Sequence, residues 1–144
     1  MVKRVNPEVL TNKDDWDVIG LKDGDEVVGA VELATGSESL CFITSDAQLL
    51  HFEAGAVRPQ GRGGGGMAGI RLPGGQQVVW FGALDPAASV VVSVAGASTA
   101  LPGTDAGSVK VTPFTEYPAK GRGTGGVRCH RFLKGEDALV FAWA

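Results

Sequence analysis

The chain has 144 residues, of which 44% are hydrophobic and 20% are charged, a composition that fits one compact globular domain and excludes a disordered tail. No apolar run approaches the roughly 20 residues of a membrane span, and the N-terminus lacks a signal-peptide pattern, so we expect a cytoplasmic protein without membrane contact. The net charge is only −3, and 22 glycines with 7 prolines imply many tight turns, which favours an all-β fold.

In chain order, residues 6–16 (NPEVLTNKDDW) are predicted to form a loop, because Pro7 and the polar tract oppose a helix. Residues 39–52 (SLCFITSDAQLLHF) predict a β-hairpin with its turn at Ser45 and Asp46. Short β-branched or aromatic runs bounded by turn residues predict further strands at residues 76–83, 89–96 and 137–144.

The chain repeats itself at a distance of sixty residues. "GRGGGGMAGIRLPGG" starts at Gly61 and "GRGTGGVRCHRFLKG" starts at Gly121, each predicting a glycine loop, a strand and a turn. The same shift aligns Val79 with Leu139 and Phe81 with Phe141. Residues 20–30 repeat the later half of this pattern at a distance of 51, and residues 2–5 match residues 109–112. We therefore expect two complete units and the end of a preceding one.

A unit of about fifty residues with several short antiparallel strands indicates a propeller-like blade. Such a blade must pack against its neighbours to bury both faces of its sheet. We predict one partial domain over residues 1–144. It consists of the end of a preceding blade (1–30), one blade (31–83) and a second blade (84–144), which carries a surface-loop insertion near 96–107.

Positive charge is concentrated around the two glycine loops. Residues 1–53 carry a net charge of −7 and residues 73–106 a net charge of −2, whereas residues 54–72 and 107–144 each carry +3. Nucleic-acid binding depends on a local basic surface and not on the total charge. The alternative is that these arginines are merely solvated.

The loops have the chemistry of a phosphate contact. Glycines allow positive φ and close approach, successive N–H groups can form an anion-binding concavity, and Arg62 and Arg122 would supply bidentate contacts to phosphate. The supporting basic residues are Arg58, Arg71, Lys110, Lys120, Arg128, Arg131 and Lys134. The loop glycines are Gly61, Gly63, Gly65, Gly66, Gly121, Gly123, Gly125 and Gly126. The alternative for the glycines is a blade corner without DNA contact.

Two long segments carry a family resemblance. "LCFITSDAQLLHFEAGAVRPQGRGGGGMAGIRL" (residues 40–72) and "GSVKVTPFTEYPAKGRGTGGVRCHRFLKGED" (residues 107–137) resemble blades of the C-terminal domain found in the A subunits of bacterial DNA gyrase and topoisomerase IV. The resemblance implies a β-pinwheel, in which four-stranded blades exchange a strand and a basic rim binds and bends duplex DNA. This chain would hold about half of a full domain and is expected to be a fragment, in which Met1 was introduced at an internal point.

Two departures limit what the resemblance implies. The family marks one blade with a strongly basic box of the type Gln-Arg-Arg-Gly-Gly-Lys-Gly, and residues 60–66 and 120–126 match only its degenerate versions. The tyrosine that cleaves DNA belongs to a separate N-terminal region, so the chain is not expected to be an enzyme on its own. Tyr117 is predicted to pack in the blade.

No catalytic, metal or cofactor site is expected. Cys41 and Cys129 are predicted to be reduced structural residues, and His51 and His130 are predicted to be strand or rim residues. The implied partners are duplex DNA, the ATPase B subunit of the topoisomerase and the catalytic remainder of its A subunit, with self-association of the fragment as a further hypothesis. The alternative function is a propeller-like protein-interaction module without DNA binding.

Overall fold

The computed structural model describes residues 1–6, 14–101, 103–104 and 107–144. Its regular elements, in chain order, are β1 (Ser39–Thr44), β2 (Gln48–Glu53), a 3-10 turn (Ala54–Ala56), β3 (Val78–Leu84), β4 (Val90–Gly96), β5 (Val109–Pro113), a second 3-10 turn (Phe114–Glu116), β6 (Val127–Arg128) and β7 (Ala138–Trp143). The predicted all-β fold is confirmed. Within those ranges, no helix is long and apolar enough to cross a membrane. Most of the loop predicted at residues 6–16 lies outside the described residues.

The first sheet has four antiparallel strands in the order β3-β1-β2-β6. β1 and β2 form the predicted hairpin, in which Leu40 pairs with Phe52 and Ile43 pairs with Leu49. Thr44 closes the hairpin, because its Oγ1 accepts the Gln48 N–H at 3.0 Å. All six residues of β1 are buried, so this sheet is covered on both faces.

The second sheet has three strands in the order β5-β4-β7. In β4, Val91 and Ala95 are buried, whereas Val90 on the opposite face is exposed. In β5, Val109 is 64% exposed and Val111 is 63% exposed. One face of this sheet therefore packs in the molecule, while the other face is largely exposed and the outer edge of β5 pairs with no other strand among the described residues.

The last strand of the second unit is offset by one residue from the predicted alignment. Ile43 pairs with Trp80, and Val94, which occupies the same place in the second hairpin, pairs with Phe141. Trp80 therefore corresponds to Phe141 and Val78 to Leu139, so the alignments of Phe81 with Phe141 and of Val79 with Leu139 were wrong. The turns before these strands keep the offset of sixty, so the second unit has one extra residue between turn and strand. A slip of one residue moves a side chain to the other face of a sheet, and Phe141 is accordingly half-exposed.

Successive units exchange a strand. β6 follows the second glycine loop but pairs with β2 of the preceding unit, through Leu49 and Val127. One unit earlier, the N–H groups of Val2 and Met67 each donate to the carbonyl of the other residue, at 2.8 and 2.7 Å. The strands predicted after the loops are shorter than expected, since β6 has two residues and Met67 makes a single bridge. This exchange agrees with the predicted β-pinwheel.

Two hydrophobic clusters fill the two junctions between units. The first junction lies between residues 2–5 and the first sheet, and its buried residues are Val2, Leu40, Phe42, Leu50, Phe52, Ala54, Val57 and Ile70. The second junction lies between the two sheets. Its main buried residues are Cys41, Ile43, Leu49, Leu84, Val91, Ala95, Phe114, Tyr117, Cys129 and Leu139. The prediction that Tyr117 packs in the blade is confirmed.

Residues 20–33 repeat the turn of the later units but not their last strand. Gly24 and Gly75 have φ values of 82° and 78°, and the Asp25 N–H donates to the Lys22 carbonyl at 3.0 Å as in the later turns. Residues 27–33 correspond to β3, yet they form no strand among the described residues, and Val27 is 57% exposed. The structure therefore holds two sheets and part of a third unit.

Candidate nucleic-acid interface

The second glycine loop, residues 121–126, lies beside residues 69–71, which follow the first glycine loop in the sequence. The Gly123 N–H donates to the Gly69 carbonyl at 2.6 Å, and the Arg71 N–H donates to the Thr124 carbonyl at 2.9 Å. These bonds join two successive units. The corner is therefore formed by two units and not by one.

Two arginines from these successive units meet at the second loop. Arg122 Nη1 donates to the Ala68 carbonyl at 2.8 Å, which ties its guanidinium to the preceding unit. Arg71 Nη2 lies 3.9 Å from the position that a β-carbon would take at Gly125. Arg71 is exposed and Arg122 is partly exposed. The fold thus brings together two positive charges that are 51 positions apart in the sequence.

Two lysines make hydrogen bonds in or near the second glycine loop. The Lys120 N–H donates to the His51 carbonyl at 3.1 Å, and Lys120 Nζ donates to the Gly126 carbonyl at 3.3 Å. Lys110 Nζ donates to the Cys129 carbonyl at 3.0 Å. Both side chains are mainly exposed, so they add positive charge around the second loop.

The first glycine loop, residues 61–66, is contacted by the N-terminal part of the chain. Lys3 Nζ donates to the Arg62 carbonyl at 2.7 Å. The Arg62 guanidinium carbon lies 6.0 Å from the centre of the Trp16 ring, at the outer limit of a cation–π contact. The first loop therefore also carries basic side chains from two successive units, Lys3 from one and Arg62 from the next.

Backbone N–H groups in both loops already donate to protein acceptors. In the first loop these are the N–H groups of Gly64 and Gly66, and in the second loop those of Gly123 and Thr124. The predicted concavity of N–H groups was therefore wrong at these four positions. These four N–H groups are therefore not available to a phosphate, and the arginine and lysine side chains remain as its ligands.

Gly66 and Gly126 are required by the strand exchange itself. They adopt φ values of 84° and 74°, which side chains rarely tolerate. A β-carbon at Gly66 would lie 2.6 Å from the Val2 carbonyl oxygen, and one at Gly126 would lie 2.3 Å from the Leu49 carbonyl oxygen. At these two positions the structural explanation of the glycine is sufficient.

The other loop glycines have looser surroundings. Gly123 has φ of 82°, so a side chain would be strained there. A β-carbon at Gly65, Gly121 or Gly125 would meet only ordinary contacts, and one at Gly61 or Gly63 would meet no atom within 4 Å. The fold thus does not require glycine at Gly61 and Gly63, and the bare backbone there leaves room for close approach of a ligand.

The remaining predicted residues are Arg58, Arg128, Arg131 and Lys134. Arg128 and Arg131 line a small pocket of about 250 Å³ with Asp46. Arg58 and Lys134 are exposed, the latter beside the turn at Gly135. In the part of the chain that the structure describes, no hydrogen bond ties Arg58, Arg131 or Lys134 to either loop.

Lys3 and Arg4 were not among the predicted site residues. Lys3 binds the first loop directly, and Arg4 Nη1 donates to the Ala54 carbonyl at 3.3 Å. The alignment of residues 2–5 with residues 109–112 was the available signal. It places Lys3 on a strand that accepts an exchanged residue, and therefore beside a loop.

The two histidines are buried. Ser39 Oγ lies 2.8 Å from His51 Nδ1, and Ser93 Oγ lies 2.8 Å from His130 Nδ1. Burial lowers the pKa of the His130 imidazole. Among the described residues, no group of three or more histidine, cysteine, aspartate or glutamate side chains could hold a metal ion.

Repeated β-units that exchange strands at glycine corners define a domain of propeller-like blades. A family model described as "DNA gyrase C-terminal domain, beta-propeller" matches residues 38–85 and 103–142. This is more than half of the chain, and the chain belongs to that family. The predicted resemblance is confirmed.

Relatives and a solved structure agree with this assignment. The chain is 38% identical over 104 residues to topoisomerase subunit TopoM of Mycolicibacterium smegmatis, covering 72% of this chain and 13% of that protein. It is 35% identical over 124 residues to the A subunit of DNA gyrase from Salmonella typhimurium, covering 86% of this chain and 13% of that protein. A crystal structure of the C-terminal domain of DNA topoisomerase IV matches with a TM-score of 0.72 at 26% identity, covering 88% of this chain and 36% of that chain. The chain therefore spans a small part of the length of these curated relatives.

Proposed function

We propose that this chain binds duplex DNA without reading its sequence and helps to bend it, as an accessory domain of a type II topoisomerase of the gyrase or topoisomerase IV kind. The observation that carries the proposal is the composition of the two corners. Each glycine loop gathers basic side chains from two successive units, Lys3 with Arg62 at the first and Arg71 with Arg122 at the second.

The physical basis is electrostatic. Guanidinium and ammonium groups contact phosphate oxygens without reading bases, and each contact releases counterions, so binding weakens steeply with salt. Bending a duplex of about 20–30 base pairs costs roughly 1–6 kcal/mol, which several corners must share. We therefore expect weak binding by this chain alone and stronger binding when more blades are present.

The domain has no chemistry of its own in this proposal. Its partners in the cytoplasm are the DNA-cleaving remainder of the A subunit together with the ATPase B subunit, and it needs no cofactor. The support for these partners is the family assignment together with the much greater length of the relative named as the A subunit of DNA gyrase.

The test compares two variants of the second corner. Arg71→Ala/Arg122→Ala removes both charges, and Arg71→Lys/Arg122→Lys keeps the charges but removes the planar fork. Lys22→Ala, at an exposed turn outside both loops, is the matched control. Affinity for a duplex of about 30 base pairs is measured by fluorescence anisotropy at about 50 and 200 mM salt.

We expect the alanine pair to bind several-fold more weakly and to lose about two units of the salt slope, since each phosphate contact contributes about 0.9. The lysine pair should keep the slope and lose part of the affinity. Unchanged affinity and slope in the alanine pair, with thermal unfolding like that of the parent, would refute the corner as the DNA site.

A protein-interaction module is the second candidate function, and one observation favours it. The outer face of the second sheet exposes Val109, Val111 and Trp143, a larger apolar surface than a solvated sheet face needs. Failure of the parent chain to bind duplex at any salt concentration would support this candidate.

A further inference from the structure

A small pocket of about 250 Å³ lies where the hairpin turn of the first sheet meets the chain that follows β6. It is lined by Asp46, Arg128, His130, Arg131 and Phe132. The backbone fixes its two sides against each other, since the Cys129 N–H donates to the Ala47 carbonyl at 2.9 Å. None of the lining residues belongs to either glycine loop, so the lining of the pocket differs from that of both corners.

The two arginines of the pocket have no protein partner in the part of the chain that the structure describes. Neither guanidinium makes a hydrogen bond or an ion pair there, and both side chains are exposed. Each guanidinium is a planar fork of N–H donors that matches the oxygens of an oxyanion. Two such groups in one pocket, with their donors unused, are the arrangement that binds an anion with several oxygens.

The internal repeat shows that the fold does not require this pair of arginines. At the offset of sixty, Arg71 stands at the place of Arg131, but Ala68 stands at the place of Arg128. The first unit therefore has one guanidinium where the second unit has two. Because neither packing nor an ion pair with another described residue uses the pair, it is available to a ligand.

Asp46 adds one acceptor to these donors. The Thr44 hydroxyl donates to Asp46 Oδ1, which holds the carboxylate in the hairpin turn. Oδ2 accepts no hydrogen bond from any described residue. A carboxylate repels a nearby anion unless that anion carries a proton that it can donate to the carboxylate. The pocket therefore suits an oxyanion that has a hydroxyl group of its own.

His130 lines the pocket without offering a ligand atom. Its Nδ1 lies 2.8 Å from Ser93 Oγ and its Nε2 lies 2.9 Å from Ser108 Oγ, so both ring nitrogens have partners. Burial lowers the pKa of the imidazole, while the nearby Glu136 charge raises it and Lys110 lowers it further. With this ring neutral, the two arginines and the aspartate leave the lining with a formal charge of +1.

We propose that this pocket binds one tetrahedral oxyanion that carries a hydroxyl group, of which hydrogen phosphate is the simplest. Arg128 and Arg131 donate N–H bonds to its oxygens, and its hydroxyl donates to Asp46. At neutral pH inorganic phosphate keeps at least one proton, whereas sulfate and the phosphodiesters of DNA have none. The site thus favours free phosphate over the DNA backbone, and it does not rest on the proposed DNA binding.

The test titrates inorganic phosphate or sulfate into the isotope-labelled chain at constant ionic strength, and NMR follows the backbone and guanidinium N–H signals. Arg128→Ala and Arg131→Ala each remove one fork of donors. Asp46→Asn removes the negative charge but keeps an acceptor for the Thr44 hydroxyl. Lys22→Ala is the matched control, because it removes one exposed positive charge outside the pocket.

We expect one phosphate to bind per chain, and sulfate to bind several-fold more weakly. Each arginine substitution should weaken phosphate binding about tenfold, which corresponds to about 1.4 kcal/mol for lost charge-assisted hydrogen bonds. Lys22→Ala should leave the affinity within about twofold. Asp46→Asn should remove the preference, so that sulfate binds at least as tightly as phosphate.

Several results would overturn the proposal. These are the absence of saturable phosphate binding, equal binding of sulfate by the parent chain, an unchanged preference in Asp46→Asn, and a loss with Lys22→Ala as large as that with Arg128→Ala. Thermal unfolding of each variant checks that the fold is kept.

A competition experiment separates this site from the corners. A duplex of about 30 base pairs without terminal phosphates is added to the chain that has bound phosphate. Phosphate should stay bound, and Arg71→Ala/Arg122→Ala should lose duplex affinity without losing phosphate. Displacement of phosphate by the duplex would show that the pocket belongs to the DNA surface and would overturn a site for the free anion. Failure of the chain to bind duplex would leave the phosphate titration unaffected, so the two proposals fail independently.

Discussion

The two junctions between units share a backbone arrangement but not a set of side chains. At each junction, a residue after a glycine loop pairs with the preceding unit, Met67 with Val2 and Val127 with Leu49. The backbone bond between Arg71 and Thr124 at the second junction has a longer equivalent at the first junction. There the Gly20 N–H donates to the Gly64 carbonyl at 3.4 Å. The glycine loop and the strand exchange therefore set the geometry of a junction.

The cores of the two junctions fill that geometry in different ways. Phe42 and Ala54 are both buried at the first junction, and the corresponding residues at the second are Ser93 and Phe114. Large and small side chains have exchanged places, which keeps the filled volume similar. The difference shows that the junction tolerates changes in packing residues but not in the glycines that let two backbones meet.

The largest expected effect comes from breaking the packing of the second junction. Phe114 is fully buried, and its ring lies edge-on to His51 at 4.7 Å. Phe114→Ala should lower the free energy of unfolding by about 3–5 kcal/mol, because it leaves a cavity in the core. Urea denaturation measures the loss.

A transplant of the first junction's pattern sharpens this prediction. Ser93→Phe with Phe114→Ala and His130→Ile gives the second junction three of the first junction's core residues, since His130 corresponds to Ile70. The triple variant should recover at least half of the stability that Phe114→Ala loses. If it is no more stable than Phe114→Ala, the two cores are not interchangeable and the comparison between junctions fails.

The next effect tests the feature that the junctions share. Gly126→Ala should cost about 3 kcal/mol, since the backbone has positive φ and the new β-carbon would collide with the Leu49 carbonyl. Gly66→Ala should have a similar cost for the same reason. Chemical denaturation of both variants gives the values.

Gly63→Ala is the matched control for Gly66→Ala, because both residues lie in the first glycine loop. A β-carbon at Gly63 meets no atom within 4 Å, and the residue does not have positive φ, so the free energy of unfolding should change by less than about 0.5 kcal/mol. A cost at Gly63 equal to that at Gly126 would show that the loops need glycine for reasons other than the strand exchange.

Much of the fold was predictable because it depends on local signals that occur twice. The hairpin at Ser45 and the turns at Gly75 and Gly135 follow from short-range composition, and the repeat made the blade visible. The extra residue before β7 was not predictable, because the length of the segment between the turn and the strand is revealed only by the pairing with β4.

The candidate site was less predictable, because it forms between units. The arginines and glycines were identified by their repetition, but the contact of Lys3 with the first loop and the use of loop N–H groups depend on which strands are exchanged. A pattern along one chain gives the residues of each unit. It does not show which of their backbone groups are hydrogen-bonded to the neighbouring unit.

The smallest expected effect distinguishes the junctions by pH, since only the second has a histidine at the position of Ile70 and His130. Burial is the main cause that lowers the pKa of His130, and the nearby Lys110 charge adds to it, whereas Glu136 acts in the opposite direction. The unfolded chain, with a histidine pKa of about 6.5, therefore binds more protons than the folded chain below that pH.

The contribution of His130 to stability should accordingly be complete above about pH 6.5 and should be lost as the pH falls from there through the lowered pKa of the folded state. The loss can reach at most about 1.4 kcal/mol per pH unit. His130→Ile should be less stable than the parent at about pH 7.5, because Ser93 and Ser108 lose their partner, but it should show a shallower decline towards acid. Denaturation of both proteins across this range gives the two slopes, and parallel slopes would mean that His130 is not the acid-sensitive group of the second junction.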